Sequence, residues 1–203
     1  MKNRTRLVYF VSSAIIGIIV VIVVVSTLIL TGVLDVSSNK LVFSSASKEV
    51  VYDGQVLTCD EWKFVDGKLD EGHTAKVSVI GAQASAGKSE NTFVVSIIDE
   101  AGNDVTKEYE IEKITGELSV LALPLTVTTN GYSKVYDGVA LSGVESDCAI
   151  TSVTQPLEGH TYEFSVSGTQ LDVGTSSNVA EICIYDAEGN VVTSNYAITY
   201  NYG

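Results

Sequence analysis

The residues best suited to chemistry are two histidines, three cysteines and two clusters of acids. His73 and His160 each stand between Gly and Thr, one per half of the chain. Zinc needs three or four converging ligands, and neither stretch supplies a second His or a local Cys pair. Both read as loop histidines, and no metal site is assigned. Cys59, Cys148 and Cys183 are odd in number; a Cys148–Cys183 bridge is conceivable outside the cell, although sequence cannot supply the geometry it requires. The turn Asp99-Glu100-Ala101-Gly102-Asn103-Asp104 and its counterpart Asp186–Val191 carry oxygen ligands for Ca²⁺, but lack the EF-hand spacing and its terminal Glu. Val191 stands where the first turn has Asp104, so solvated hairpin turns are the preferred reading. Tyr52-Asp53-Gly54 and Tyr136-Asp137-Gly138 could form a binding loop used twice. More simply, the Tyr enters a core, the Asp caps a turn and the Gly takes positive φ. Lys134 has Val50 as its first-copy equivalent, which argues against a repeat-wide Lys–Asn isopeptide bond. There is no GxSxG, P-loop or dinucleotide-binding glycine pattern. The chain is therefore not expected to be an enzyme, and neither catalytic nor cofactor-binding residues are assigned.

The elements that position these groups begin with an uncharged stretch. Residues 7–34 form a run of 28 without a single charge, preceded by Lys2, Arg4 and Arg6. As a helix it would reach about 42 Å, where a bilayer core needs about 30 Å. The basic flank predicts a cytoplasmic tail at 1–6, a transmembrane signal anchor at 7–34 and a juxtamembrane linker at 35–40, with the bulk outside. The rival is a cleaved signal peptide and a secreted chain; the length of the run and the lack of an A-x-A site argue against it. Beyond the three basic residues, nine lysines face 25 acids, a net charge of −16. Such a surface excludes a general nucleic-acid binder and repels anionic lipid.

The remainder repeats itself. Val51-Tyr52-Asp53-Gly54 recurs 84 residues on as Val135–Gly138; Gly72-His73-Thr74 recurs 87 residues on as Gly159–Thr161. The second offset then holds to the end: Gly87, Asn91, Tyr109 and Gly116 match Gly174, Asn178, Tyr196 and Gly203. The extra three residues lie between the two blocks, in a length-tolerant loop. A period this long suits whole domains in tandem, here 41–124 and 125–203. Alternation of apolar and polar residues at 74–79, 93–97, 161–167 and 180–184 predicts half-buried strands. Further strands are expected at 41–45, 109–114, 118–121, 125–129 and 196–200. The fold class expected is all-β: two tandem immunoglobulin-like antiparallel sandwiches, with a β-grasp-like variant open. The connection Leu121–Leu125 is short and partly apolar, which predicts a restricted relation between the copies. The second copy reaches Gly203 without a counterpart of Glu117–Leu121. The expectation is that the sequence is part of a longer protein; the other reading is an open edge that a neighbouring chain could fill.

On these residues the chain resembles the MBG or YDG-type tandem repeats of bacterial cell-surface, adhesin-like proteins. The matching pieces are Lys134–Gly138 with Leu141, Gly159-His160, Asp172–Thr175, Asn178, Asp186–Thr193 and Asn195–Ile198. The first copy departs at Val50 and at Ser85-Ala86-Gly87. The resemblance implies an extracellular β module in a large surface protein. The function expected is therefore a membrane-anchored stalk or adhesion module that binds an extracellular protein or glycan. The alternative is spacer domains of a longer protein that carries an enzyme, sensor or ligand-binding domain. A carbohydrate-binding module is a third reading, weakened because Trp62 is the sole Trp.

Overall fold

The computed structural model describes residues 39–203. The cytoplasmic tail, the proposed anchor at 7–34 and most of the linker lie outside the described residues. Among the described residues, no helix is long and apolar enough to cross a membrane.

The described chain is all-β. The first repeat contains β1 (Lys40–Ser45), β2 (Lys48–Val51), β3 (Trp62–Asp66), β4 (Thr74–Val79) and β5 (Gly87–Asn91). It continues through β6 (Phe93–Ile98), β7 (Glu110–Ile114) and β8 (Gly116–Leu121). The second contains β9 (Leu123–Thr129), β10 (Leu141–Ser142), β11 (Cys148–Ile150) and β12 (Thr161–Val166). It closes with β13 (Thr169–Gln170), β14 (Ala180–Tyr185) and β15 (Tyr196–Asn201).

Each repeat is built from the same parts. A three-stranded sheet, β3-β1-β7 or β11-β9-β15, faces a two-stranded ribbon, β4-β6 or β12-β14. The ribbons form where sequence alternation is cleanest. Along β6, Phe93, Val95 and Ile97 are buried, while Val94 and Ser96 are not. Ala180, Ile182 and Ile184 repeat this along β14. Period-two alternation places one face in the core and the other toward water.

The sheets are mixed rather than wholly antiparallel. In each three-stranded sheet the first and last strands in chain order pair in parallel, β1 with β7 (Leu41 opposite Ile111) and β9 with β15 (Leu125 opposite Ile198). This corrects the expected antiparallel arrangement. Hydropathy tells which face of a strand is buried but not which neighbour it pairs with, so parallel closure left no mark in the pattern.

The first repeat has a further three-stranded sheet, β2-β8-β5, in which β8 lies parallel to β2 and antiparallel to β5, and the second has a further two-stranded antiparallel pair, β10-β13. Strand β8 runs on into β9 with only Ala122 between. The Leu121–Leu125 connection is thus strand on both sides. Leu118 and Val120 of β8 share one buried cluster with Leu125, Val127, Ile182, Ile184 and Tyr196 of the second repeat. Leu41, Phe43, Phe93, Val95, Ile97 and Tyr109 form a separate core within the first. Residues 40–203 make one compact unit.

An asparagine clamps each repeat at the same point. Asn91 is fully buried, and its Nδ2 donates to the carbonyls of Ala46 (2.9 Å) and Cys59 (2.8 Å). Asn178 donates to Asn130 O (3.0 Å), and the Thr129 hydroxyl donates to Asn178 O (2.7 Å), as Ser45 does to Asn91 O (2.5 Å). These donors pair main-chain carbonyls at a bend between strands, partly buried at Ala46 and Cys59 and exposed at Asn130.

Candidate functional site

The two Tyr-Asp-Gly corners have one backbone and two environments. In each the aspartate accepts from the amide two residues on, Asp53 from Gln55 (2.9 Å) and Asp137 from Val139 (3.0 Å). In each the glycine has positive φ, 78° at Gly54 and 77° at Gly138. A side chain there would be strained, which is why the corner uses Gly. Tyr52 is 7% exposed, whereas Tyr136 is 59% exposed.

The difference is a neighbour. Tyr52 packs edge-on against Tyr196, with centroids 5.8 Å apart, and lies 6.3 Å from the His160 ring. The Ala86 amide donates to Asn195 Oδ1 (2.8 Å), and the Gly54 turn lies against the Leu157 side chain. Leu57, beyond the corner, belongs to the same buried cluster. The first repeat thus inserts its Tyr-Asp-Gly corner into the end of the second.

The surface that receives it is built on a His–Tyr pair. His160 Nδ1 lies 2.7 Å from the Tyr196 hydroxyl, which also accepts from the Leu157 amide (3.2 Å). The first repeat holds the same pair, His73 and Tyr109 at 2.7 Å, with the Asp70 amide donating to the tyrosine (3.1 Å). Burial pushes both tyrosine hydroxyls up from their ordinary value. The histidines are hydrogen-bonded partners in a packed corner, with the ring of each edge-on to its tyrosine. Sequence reading treated each histidine alone and missed this pair. The signal was present, since His and Tyr stand 36 residues apart in both copies.

The acidic turns close on themselves. Asp99 accepts from the amide (2.8 Å) and the Nδ2 (2.9 Å) of Asn103; Asp186 does the same with Asn190 (2.7 and 2.9 Å). These side-chain donors, and then the backbone amides, hold both carboxyls below the usual aspartate value. No group of three or more His, Cys, Asp or Glu is gathered for a metal ion among the described residues. Lys134 forms an ion pair with Asp137 (2.8 Å). Cys59, Cys148 and Cys183 are free thiols, each partly buried. Burial, followed by Asp147 and Glu145, pushes the Cys148 thiol up, which disfavours its reactive thiolate.

A groove of about 560 Å³ lies in the second repeat, lined among others by Val135, Tyr136, Leu141, Leu171, Val173 and Gly174. No strand runs along 132–136 or 174–178, and Val135 and Val173 are almost fully exposed. A smaller hollow beside Trp62 is flanked by Asp60 and Glu61.

No protein-family model matches the chain, and no curated protein or solved structure matches it either.

Proposed function

We propose that the chain is a membrane-anchored bacterial surface protein whose two repeats act as a stiff stalk or adhesion module. The observation that carries this reading is the junction at Tyr52, His160 and Tyr196, where the two copies share one buried cluster. Interfaces between flexibly tethered domains are small and polar; a continuous apolar core resists bending. Such a core serves a part that must hold a distance or bear a load. The uncharged run at 7–34 with its basic flank supports an anchor, and the acidic ectodomain supports a solvated outer surface. The resemblance to MBG-type repeats points the same way. Within the all-β class we read each repeat as an immunoglobulin-like sandwich, in which the three-stranded sheet packs on the ribbon. The function is display and binding, with an extracellular protein or glycan as ligand.

The test is topological. Intact cells producing the chain are treated with a membrane-impermeant thiol reagent, with the extracellular repeats then unfolded by urea in its presence. Cys59, Cys148 and Cys183 should all be labelled without lysis, and the chain should stay in the membrane fraction. Labelling only after lysis would overturn an outward-facing module, and recovery from the medium would overturn the anchor.

A further inference from the structure

We propose that β4 of one copy of the chain and β12 of a second copy pair edge to edge as antiparallel strands, with Lys76 opposite Glu163. Each ribbon has one guarded edge and one open edge. In β6 the Ile97 amide donates to Thr106 Oγ1 (2.8 Å), Ile97 O accepts from the Val105 amide (2.9 Å), and Phe93 O accepts from Lys113 Nζ (3.0 Å). In β14 the Ile184 amide donates to Thr193 Oγ1 (2.8 Å), and Ile184 O accepts from the Val192 amide (2.8 Å). Two tyrosines guard the rest of β14. The Ile182 amide donates to the Tyr200 hydroxyl (3.3 Å), and the Tyr202 hydroxyl donates to Ala180 O (3.2 Å). Among the described residues, no side chain or turn bonds to the outer edge of β4 or of β12.

The ladder inside each ribbon fixes the register at its open edge. The Ile97 and Ile184 main-chain groups are taken by the guarding turns, so they face away from Ala75 and Tyr162 opposite them. In such non-hydrogen-bonded pairs both residues turn their N–H and C=O away from each other. Ala75 and Tyr162 therefore point these groups out of the ribbon, and with period two so do Val77 and Phe164. A new antiparallel partner must set outward-pointing residues opposite one another. Placing Ala75 against Phe164 and Val77 against Tyr162 does so, and it brings Lys76 against Glu163. Ala75, Val77 and Phe164 pack against the cores of their own repeats, so this register also keeps the apolar faces on one side.

Charge selects the partner. Lys76 and Glu163 are exposed at the centre of the outer faces of β4 and β12, flanked only by Thr74, Ser78, Thr161 and Ser165. Lys76 has no ion pair among the described residues, and Glu163 receives a long contact from the Tyr185 hydroxyl (3.5 Å). Directly opposed like charges destabilise a strand pair, and opposite charges stabilise it. Centred pairing of β4 with another β4 sets lysine on lysine, and β12 with another β12 sets glutamate on glutamate. Only the unlike pairing joins opposite signs. A central charge thus keeps each edge from its own kind, as edge strands commonly do, while the two repeats carry complementary signs at the same position, 87 residues apart. Each copy presents both edges, so the contact is heterologous and propagates into a chain or closes into a ring. This goes beyond the stalk reading by naming a second copy as the partner.

The experiment measures self-association of the full chain in mild detergent by sedimentation, at protein concentrations up to about 1 mM. Salt is held at about 0.15 M, where exposed charges more than about 8 Å apart are screened. The unmodified chain should associate as its concentration rises. Lys76→Glu and Glu163→Lys should each weaken that association about tenfold or more. Glu163→Lys makes the chain less negative, so general repulsion between copies cannot explain its loss. An equimolar mixture of the two variants should recover association, because each then meets the opposite charge on the other. Both positions are exposed, and recovery in the mixture also shows that the variants are folded. A chain that stays monomeric at every concentration would overturn the proposal. So would single variants that associate like the unmodified chain, or a mixture that fails to recover. Association in detergent does not depend on membrane topology, so the proposal and the stalk reading can fail separately.

Discussion

Tyr52-Asp53-Gly54 and Tyr136-Asp137-Gly138 are the same three residues in the same turn, yet one tyrosine is core and the other surface. The backbone of the corner follows from local chemistry: an Asx hydrogen bond and a glycine at positive φ. The fate of the ring follows from what lies beyond the turn. In the first repeat that is β8 on one side and the His160–Tyr196 surface on the other. Around Tyr136 no strand lies along 132–136 or 174–178. A repeated motif encodes a conformation, and burial is then conferred by its neighbours.

The comparison can be broken most sharply at the tyrosines. Tyr52→Ala removes a buried ring from the junction and should cost about 3 kcal/mol in urea unfolding. Tyr136→Ala should cost less than about 0.5 kcal/mol in the same assay. Equal costs would mean that the junction contributes nothing. Leu118→Asp places an unpaired charge in the shared cluster and should be as damaging as Tyr52→Ala or more so.

The His–Tyr pairs sharpen the picture at a smaller scale. Tyr196→Phe deletes the partner of His160 and of the Leu157 amide, at a cost of about 1–2 kcal/mol. Tyr109→Phe deletes the same bonds in the first repeat and should cost nearly as much. A large loss at Tyr196 alone would show that the pair matters only where it receives Tyr52.

The smallest effect is a pH dependence shared by both copies. Asp99 and Asp186 have folded pKa values below the usual one, so their contribution is present above the unfolded value. It is lost as pH falls through the folded value. The melting temperature should fall on acidification below about pH 4, and Asp99→Asn with Asp186→Asn should flatten that limb by no more than about 2 °C. A fall on raising the pH from neutral to about 8 would contradict these carboxylates as the cause.

The part of this fold visible in the sequence is the part written as alternation. The ribbons β4-β6 and β12-β14 were legible because one face of each strand is apolar. The strand β3 was not, because all five of its residues are exposed and it earns its place by pairing with β1. Likewise β2 and β5 offer few buried side chains, and main-chain pairing with β8 defines them. The Tyr-Asp-Gly turn was legible from residue types alone. The receiving surface at His160 was not, because the repeated His–Tyr spacing does not tell that Tyr52 of the other repeat packs on the pair.

The central claim is that the buried cluster joining Tyr52, Leu57, Leu118 and Val120 to the second repeat couples the two repeats, so that they unfold together. Trp62 fluorescence reports the first repeat, and mass-resolved alkylation of Cys183 reports the second. Measured together through a urea titration of the full chain, both should change at one midpoint, and Tyr52→Ala should move both. Two midpoints more than about 0.5 M apart, with Tyr52→Ala shifting only the Trp62 signal, would contradict it.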